Sequence, residues 1–521
     1  MKNIISSKYI NFFFPLITIS FVIFNYSIIP VHDDWDTKLS FPVKFLSTFN
    51  FNLFFDFHNE HPIALGKLIF LLDYIFFSAK GYLCSIVSIS VLFYFTFLIN
   101  KISKLNYKKI FLLELLFFSI IFIPIQKSNL IWPFQVVFLL GVFLQLFSLF
   151  NIYLASIEKK KFYLWLSVLL ALISPFTLAN SFLSLIFISF YYFINGYKKI
   201  SFILITYFIL FSVYFFINFI GLDVDHSNSY IFNFFDFIIF SFSLAGAFFG
   251  HLFMKGNFGL VISIIFGAYM FLLCPYICYR NFKYNSWTPV KILLFISINI
   301  ILLNILLLAY GRSGFEFNKS LSSRYAVYSI ILIILYTLFF YKQVINILFN
   351  SKKIFSYVFK ILLILIFIQY IKVLPSVFFE KDKIDKKYLA LNSLIYKDYN
   401  SPYLSSIYDL KKINNLISNF ELIKTTNPDL YIFNYFKYIK NDDKDFNLIF
   451  IDSDIMTKKL VPNTNYEKIE MRVKKNDKKI LYLFDNNKIN IGYALIYKKD
   501  KQYSYFLAYL PAGKNSVYYD I

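Results

Sequence analysis

Long apolar blocks separated by short polar segments give this chain its period. Apolar runs cover 10–30, 82–100, 110–126, 131–155, 162–176, 180–195, 200–220, 258–279, 292–310, 325–342 and 354–374. Most approach the roughly 20 residues that carry an α-helix across a bilayer core of about 30 Å. They predict about eleven transmembrane helices; 162–176 and 180–195 are short, and their break at Ser174-Pro175 suits a tight hairpin or re-entrant pair. Two more apolar stretches, 63–79 and 234–253, are expected along the outer interface as amphipathic helices. If 63–79 spanned, Lys101, Lys104, Lys108 and Lys109 would move to the outer side, against the positive-inside rule, and the same parity excludes 234–253. The first run, Tyr9 to Pro30, exceeds the about 7–15 residues of a cleaved signal's apolar region and is expected to be an uncleaved membrane helix.

The pattern changes after residue 375. Residues 376–425 read as helical, and alternating β-rich runs follow at Lys468–Val473, Ile480–Phe484, Ile489–Tyr497 and Gln502–Leu510. Asp485-Asn486-Asn487-Lys488 is placed as a turn between two of them. The expected fold is an all-α polytopic membrane body over 1–375, with a first outer loop at 31–81. An extracytoplasmic α+β or β-sandwich module over 376–521 completes it.

Composition agrees with the blocks. The 521 residues are 58% hydrophobic, 22% aromatic and 16% charged, where soluble domains carry roughly a quarter charged residues. Phe, Ile, Lys, Asn and Tyr are enriched together, as AT-rich coding produces, so a single Lys or aromatic carries little weight. The three cysteines, Cys84, Cys274 and Cys278, all lie in apolar stretches, form no CxxC pair and read as small core residues.

The net charge of +22 invites a nucleic-acid reading, and its distribution removes it. Segments expected in the cytoplasm (2–8, 101–109, 156–161, 196–199, 280–291 and 342–353) hold 17 Lys and Arg against one acid, Glu158. Segments expected outside (31–81, 127–130, 221–257 and 311–324) hold nine basic and ten acidic residues. The basic excess is an orientation signal. It places the N-terminus in the cytoplasm and the module outside.

All five histidines (His32, His58, His61, His226 and His251) and ten of the twelve acids before residue 375 fall on that outer side. The first concentration is Val31-His32-Asp33-Asp34-Trp35-Asp36, one residue past the first apolar run. Three carboxylates so close repel unless solvated, paired or used; near a low-dielectric boundary, Asp33, Asp34 or Asp36 could act as a general base, or all three could mark a solvated helix exit. The second is His58-Asn59-Glu60-His61-Pro62. On a helical turn His58 and His61 would share a face, suited to substrate hydrogen bonding or, with Asp33 and Asp34, to a divalent cation such as Mg or Mn. A polar helix start explains them equally.

The third is Gly311-Arg312-Ser313-Gly314-Phe315 followed by Ser322-Ser323-Arg324-Tyr325, holding two of the four arginines, with Lys319 between. Arg binds phosphate bidentately and keeps its charge, so Arg312 and Arg324 suit a lipid-linked phosphate; headgroup anchoring is the plainer alternative. Lys127 with Trp132-Pro133-Phe134-Gln135, and the acidic loop Gly221–His226, are weaker candidates. Glu114 and Lys360 are the main charges inside apolar blocks, fewer than an ion-coupled transporter keeps near its midplane.

These clusters, in this order, resemble the GT-C superfamily of polyprenyl-phosphate-sugar-dependent glycosyltransferases, nearest to bacterial O-antigen serotype-converting glucosyltransferases. The resemblance covers roughly 1–375. It implies an inverting transferase that moves a sugar from undecaprenyl phosphate to a surface polysaccharide or lipopolysaccharide, without a nucleotide. It places Asp33 or Asp34 as base or metal-site acid, supported by Asp36, Glu60 and His61, and puts Arg312 or Arg324 on the donor phosphate beside Lys319 and Tyr325. Three acids compete for one role, so the base stays open. The other readings are an O-antigen polymerase, a lipid or glycan flippase, and a scaffold whose tail binds polysaccharide.

Overall fold

In a computed structural model of the chain, the described residues are 12–106, 111–220, 233–253, 256–312, 314, 316–344, 361–372, 381–427, 430, 448–450, 455–460, 466–474, 480–484, 490–499, 502–511 and 518–520. The acidic loop 221–226, Ser313, Phe315, Lys360 and the expected turn 485–488 lie outside them. The chain divides into two compact units: Met1–Tyr26, Asn50–Leu72 and Tyr82–Pro375 form the first, and Ser27–Phe49, Asp73–Gly81 and Ser376–Ile521 the second. The first outer loop, expected in the body throughout, is therefore shared, with 27–49 and 73–81 clustering with the C-terminal residues.

Among the described residues of the first unit, six helices are long and apolar enough to cross a membrane: Tyr82–Asn106, Leu113–Ile131, Pro133–Glu158, Lys198–Ile220, Asn257–Lys283 and Pro289–Tyr310. The other expected spans form shorter helices, Phe13–Asn25, Lys161–Phe176, Ala179–Ile194, Ala326–Phe339 and Ile361–Lys372. The expected helical character is present, and a count of eleven spans would have to include the shorter helices. Hydropathy measures composition, and the apolar run 10–30 is helical only to Asn25, while a 3-10 turn at Ser174–Phe176 interrupts the next pair.

The stretch 234–253, expected along the interface, is a helix pair, Phe234–Ala245 and Ala247–Phe253, bent by 65° as in a broken span or a re-entrant loop; counting it as one span gives seven. Its inner face is made of small residues. A Cβ on Gly246 would lie 1.9 Å from the Ser263 carbonyl oxygen, and one on Gly267 1.7 Å from that of Phe242. With Gly250 against Gly259, the two backbones meet through small residues spaced four apart on each side, the close packing that helices use where lipid removes any hydrophobic drive.

Pro133–Glu158 is buried along its length, as an all-round apolar helix should be. Gln145, Ser148 and Asn151 on it are paired inside. Gln145 Oε1 accepts from Asn304 Nδ2 at 3.0 Å, and the Ser148 hydroxyl donates to the Ser167 carbonyl at 3.0 Å. Thr288, capping Lys291 N at 3.4 Å, and Pro289 at the first turn start the helix that carries Asn304.

Among its described residues, the second unit holds one antiparallel sheet of seven strands: β1 Leu448–Phe450, β2 Ile455–Leu460, β3 Tyr466–Lys474, β4 Ile480–Phe484, β5 Asn490–Lys499, β6 Tyr503–Pro511 and β7 Tyr518–Asp520. Their order is β1-β7-β4-β5-β6-β3-β2. β3 to β6 are the four alternating runs read in the sequence. The strands alternate as one two-faced layer should: Ile469, Met471, Val473, Phe506, Ala508 and Leu510 share one buried cluster. Leu495, Leu507 and Tyr509 pack with Leu389 of the helix Lys381–Ile395. The module is α+β, with a single sheet in place of a sandwich. Asp398, which accepts from Tyr509 Oη at 2.7 Å and pairs with Lys468 Nζ at 3.3 Å, pins the helical segment to the sheet.

Candidate functional site

The helical unit assembles one cluster from its two polar loops. His58 and His61 do not share a helical turn. They face each other as an isolated antiparallel bridge, exchanging backbone hydrogen bonds at 3.0 Å each way, and Asn59 at the tip takes φ 50°. A two-residue reversal with a left-handed Asn is the geometry short polar side chains tolerate. The rings rest on the start of the buried helix, His58 5.3 Å from the Phe134 ring and His61 6.0 Å from Phe138.

That reversal fixes Glu60. Its Oε1 lies 3.2 Å from Arg312 Nη2 and 3.4 Å from His61 Nε2. Arg312 sits just past the C-terminus of Pro289–Tyr310, where a cation offsets the helix dipole, and its N–H donates to the Ala309 carbonyl at 3.1 Å. His61 Nδ1 accepts the Ala179 N–H at 3.2 Å. An accepting Nδ1 places the neutral ring's proton on Nε2, so Nε2 donates toward Glu60. Three expected residues, Glu60, His61 and Arg312, are thereby brought together.

Arg324 and Tyr325 belong to a neighbouring arrangement. The Arg324 guanidinium lies over the Tyr325 ring at 4.8 Å, and Tyr325 is buried. The Arg324 carbonyl accepts from Asn129 Nδ2 at 3.0 Å, and Ser323 Oγ meets Ser128 Oγ. Lys319 is exposed on the 3-10 turn Phe317–Leu321. The reversal 124–135, singled out by Trp132–Gln135 in the sequence, anchors this loop.

The acidic motif belongs to the second unit. Asp34–Leu39 forms a π-helix, a rare widening of the helical turn that recurs at functional positions. Its three carboxylates have separate environments. Asp34 is buried, and its Oδ2 accepts the Val31 N–H at 3.2 Å. Asp36 accepts from Tyr408 Oη at 2.9 and 2.8 Å and from Asn419 Nδ2 at 2.7 Å. Asp33, like Asp36, is partly exposed, and it follows the exposed His32. Burial, and then the Asp36 charge beside it, push the Tyr408 phenol well above its ordinary value.

Trp35 packs on Phe420 at 6.2 Å, and the His32 N–H donates to the Ile407 carbonyl at 2.6 Å. Nothing in the sequence linked residues 32–36 to 407–420, nearly 400 positions away.

Asp33, Asp34 and His61, read as a set for Mg or Mn, fall in different units. Among the described residues, no three His, Cys, Asp or Glu side chains gather as metal ligands. Compared with known proteins, the chain matches no family model, no curated protein and no solved structure.

Proposed function

We propose that this is a membrane glycosyltransferase that moves a sugar from a polyprenyl phosphate to a glycan acceptor, with undecaprenyl phosphate and a surface polysaccharide such as O-antigen as the expected pair. The observation that carries the reading is Arg312, held beside Glu60 and His61 at the end of an apolar helix. A guanidinium there suits a phosphate whose prenyl chain stays in lipid while its headgroup meets polar side chains. The apolar helices support the lipid half of the reading.

The chemistry asks for two things. A carboxylate takes the proton of an acceptor hydroxyl as that oxygen attacks the anomeric carbon with inversion. A cation steadies the lipid phosphate as it leaves with the electrons of the broken bond. Arg312, with Arg324 further along the same loop, is assigned to the phosphate. Asp33 is taken as the base: the resemblance puts Asp33 or Asp34 there, and Asp34 is buried with its Oδ2 on the Val31 N–H. The lipid donor, the acceptor and the orientation with the module outside belong to this proposal.

The test is transfer by the purified full chain from radiolabelled undecaprenyl-phosphate sugars to lipopolysaccharide. Wild type should transfer. Asp33→Asn should lose about 10²–10⁴-fold, the scale of a general base. Arg312→Ala should lose about 10²-fold or more. No transfer by wild type from any such donor would remove the enzyme reading in favour of a flippase or scaffold.

A further inference from the structure

Resting on the reading that Arg312 receives a lipid-linked phosphate, we infer that Glu60 is a built-in stand-in for that phosphate, exchanged for it when the ligand binds. Three observations carry this. First, Arg312 is already engaged: Glu60 Oε1 stands 3.2 Å from its Nη2. Any anion that reaches the guanidinium competes with this carboxylate.

Second, the pair can open to an incoming group. The Arg312 and Glu60 side chains keep 17% and 25% exposure, so neither is sealed in the core. The 3.2 Å separation is longer than the about 2.7–2.9 Å of a strong charge-assisted bond. A phosphate, whose oxygens match the guanidinium fork, makes the better partner.

Third, the displaced carboxylate has a holder. His61 Nε2 reaches the same Oε1 at 3.4 Å, and Nδ1 is fixed by the Ala179 N–H at 3.2 Å, which keeps the proton on Nε2. Glu60 also sits in a two-residue reversal closed by the His58–His61 bridge, which fixes its backbone between the two partners. When phosphate takes Arg312, Glu60 passes to His61. The exchange needs only side-chain rotation. Until then Glu60 keeps the arginine from capturing other anions, such as lipid headgroups.

The experiment is equilibrium binding of undecaprenyl phosphate to the full chain in nanodiscs of neutral lipid. Undecaprenol and inorganic phosphate serve as separate arms. Wild type should prefer undecaprenyl phosphate to both, and Arg312→Ala should lose that preference. Glu60→Gln, nearly isosteric but uncharged, should bind undecaprenyl phosphate about five-fold more tightly, equivalent to about 1 kcal/mol. Glu60→Ala should move the same way, and undecaprenol binding should not change.

Equal or weaker binding by both Glu60 variants, with Arg312→Ala still defective, overturns the exchange while leaving the phosphate clamp standing. Arg312→Ala binding like wild type overturns the clamp and the exchange together. Inorganic phosphate binding as tightly as the lipid overturns the lipid assignment.

Discussion

At the scale of single residues, three carboxylates that look interchangeable in Asp33-Asp34-Trp35-Asp36 separate by environment. Asp36 is a structural acceptor, so Tyr408→Phe should destabilise the second unit by about 1–3 kcal/mol, the usual cost of unpairing a partly buried charged acceptor. Chemical denaturation followed through fluorescence of Trp35 in a chain lacking the other tryptophans would measure it. The raised Tyr408 phenol adds a pH dependence with a definite sign. Below the ordinary tyrosine value of 10.0 both states are protonated and the stabilisation is complete. As pH rises past it, the unfolded state releases the proton first, so stability falls toward the higher folded value. Wild type should lose stability above pH 10 more steeply than Tyr408→Phe; parallel curves would contradict this.

At the scale of elements, backbone approach decides what hydropathy cannot. Segment 234–253 carries an apolar signal that fits an interfacial helix, yet Gly246, Gly250 and Gly267 let it meet Asn257–Lys283 at backbone distance. A methyl at Gly267 collides with a carbonyl oxygen that no rotamer can move. Gly267→Ala should therefore separate the helices and cost about 2–4 kcal/mol, within the range of overpacked cores or beyond it. Gly311→Ala is the matching control, because its Cβ meets nothing nearer than 3.8 Å at an ordinary backbone angle. Thermal unfolding in detergent should show a large drop for the first and almost none for the second. The small residues stand in plain view in the sequence. Their pairing does not, because spacing along one helix carries no record of which neighbour it meets.

At the scale of the molecule, the division of the first outer loop has a practical consequence. Ile29, Trp35, Leu39, Val43 and Ala79 share one buried cluster with Leu394, Ile407, Leu416, Phe420 and Ile423. A fragment of 376–521 alone, which is where the composition places a boundary, would expose the second half of that cluster. It should bind a hydrophobic dye and give poorly dispersed amide spectra. The full chain should protect Leu416 and Phe420 from exchange. A well-dispersed spectrum from the isolated fragment would show the module to be self-sufficient. Orientation is checked separately: a reporter active only in the cytoplasm, fused after residue 400, should be silent.

The sequence by itself determined the apolar helical character, the alternating strands between Tyr466 and Pro511 and the gathering of polar residues in a few loops, because each is written in local pattern. It also named Glu60, His61 and Arg312, since rare residue types in polar loops stand out against an apolar chain. Tertiary structure decided the rest: which helices reach spanning length, that Asp36 answers to Tyr408 and Asn419, and that Glu60 already occupies Arg312. These depend on contacts between residues up to 383 positions apart. Such contacts are selected by the packing free energy of the whole fold, and no local pattern encodes them.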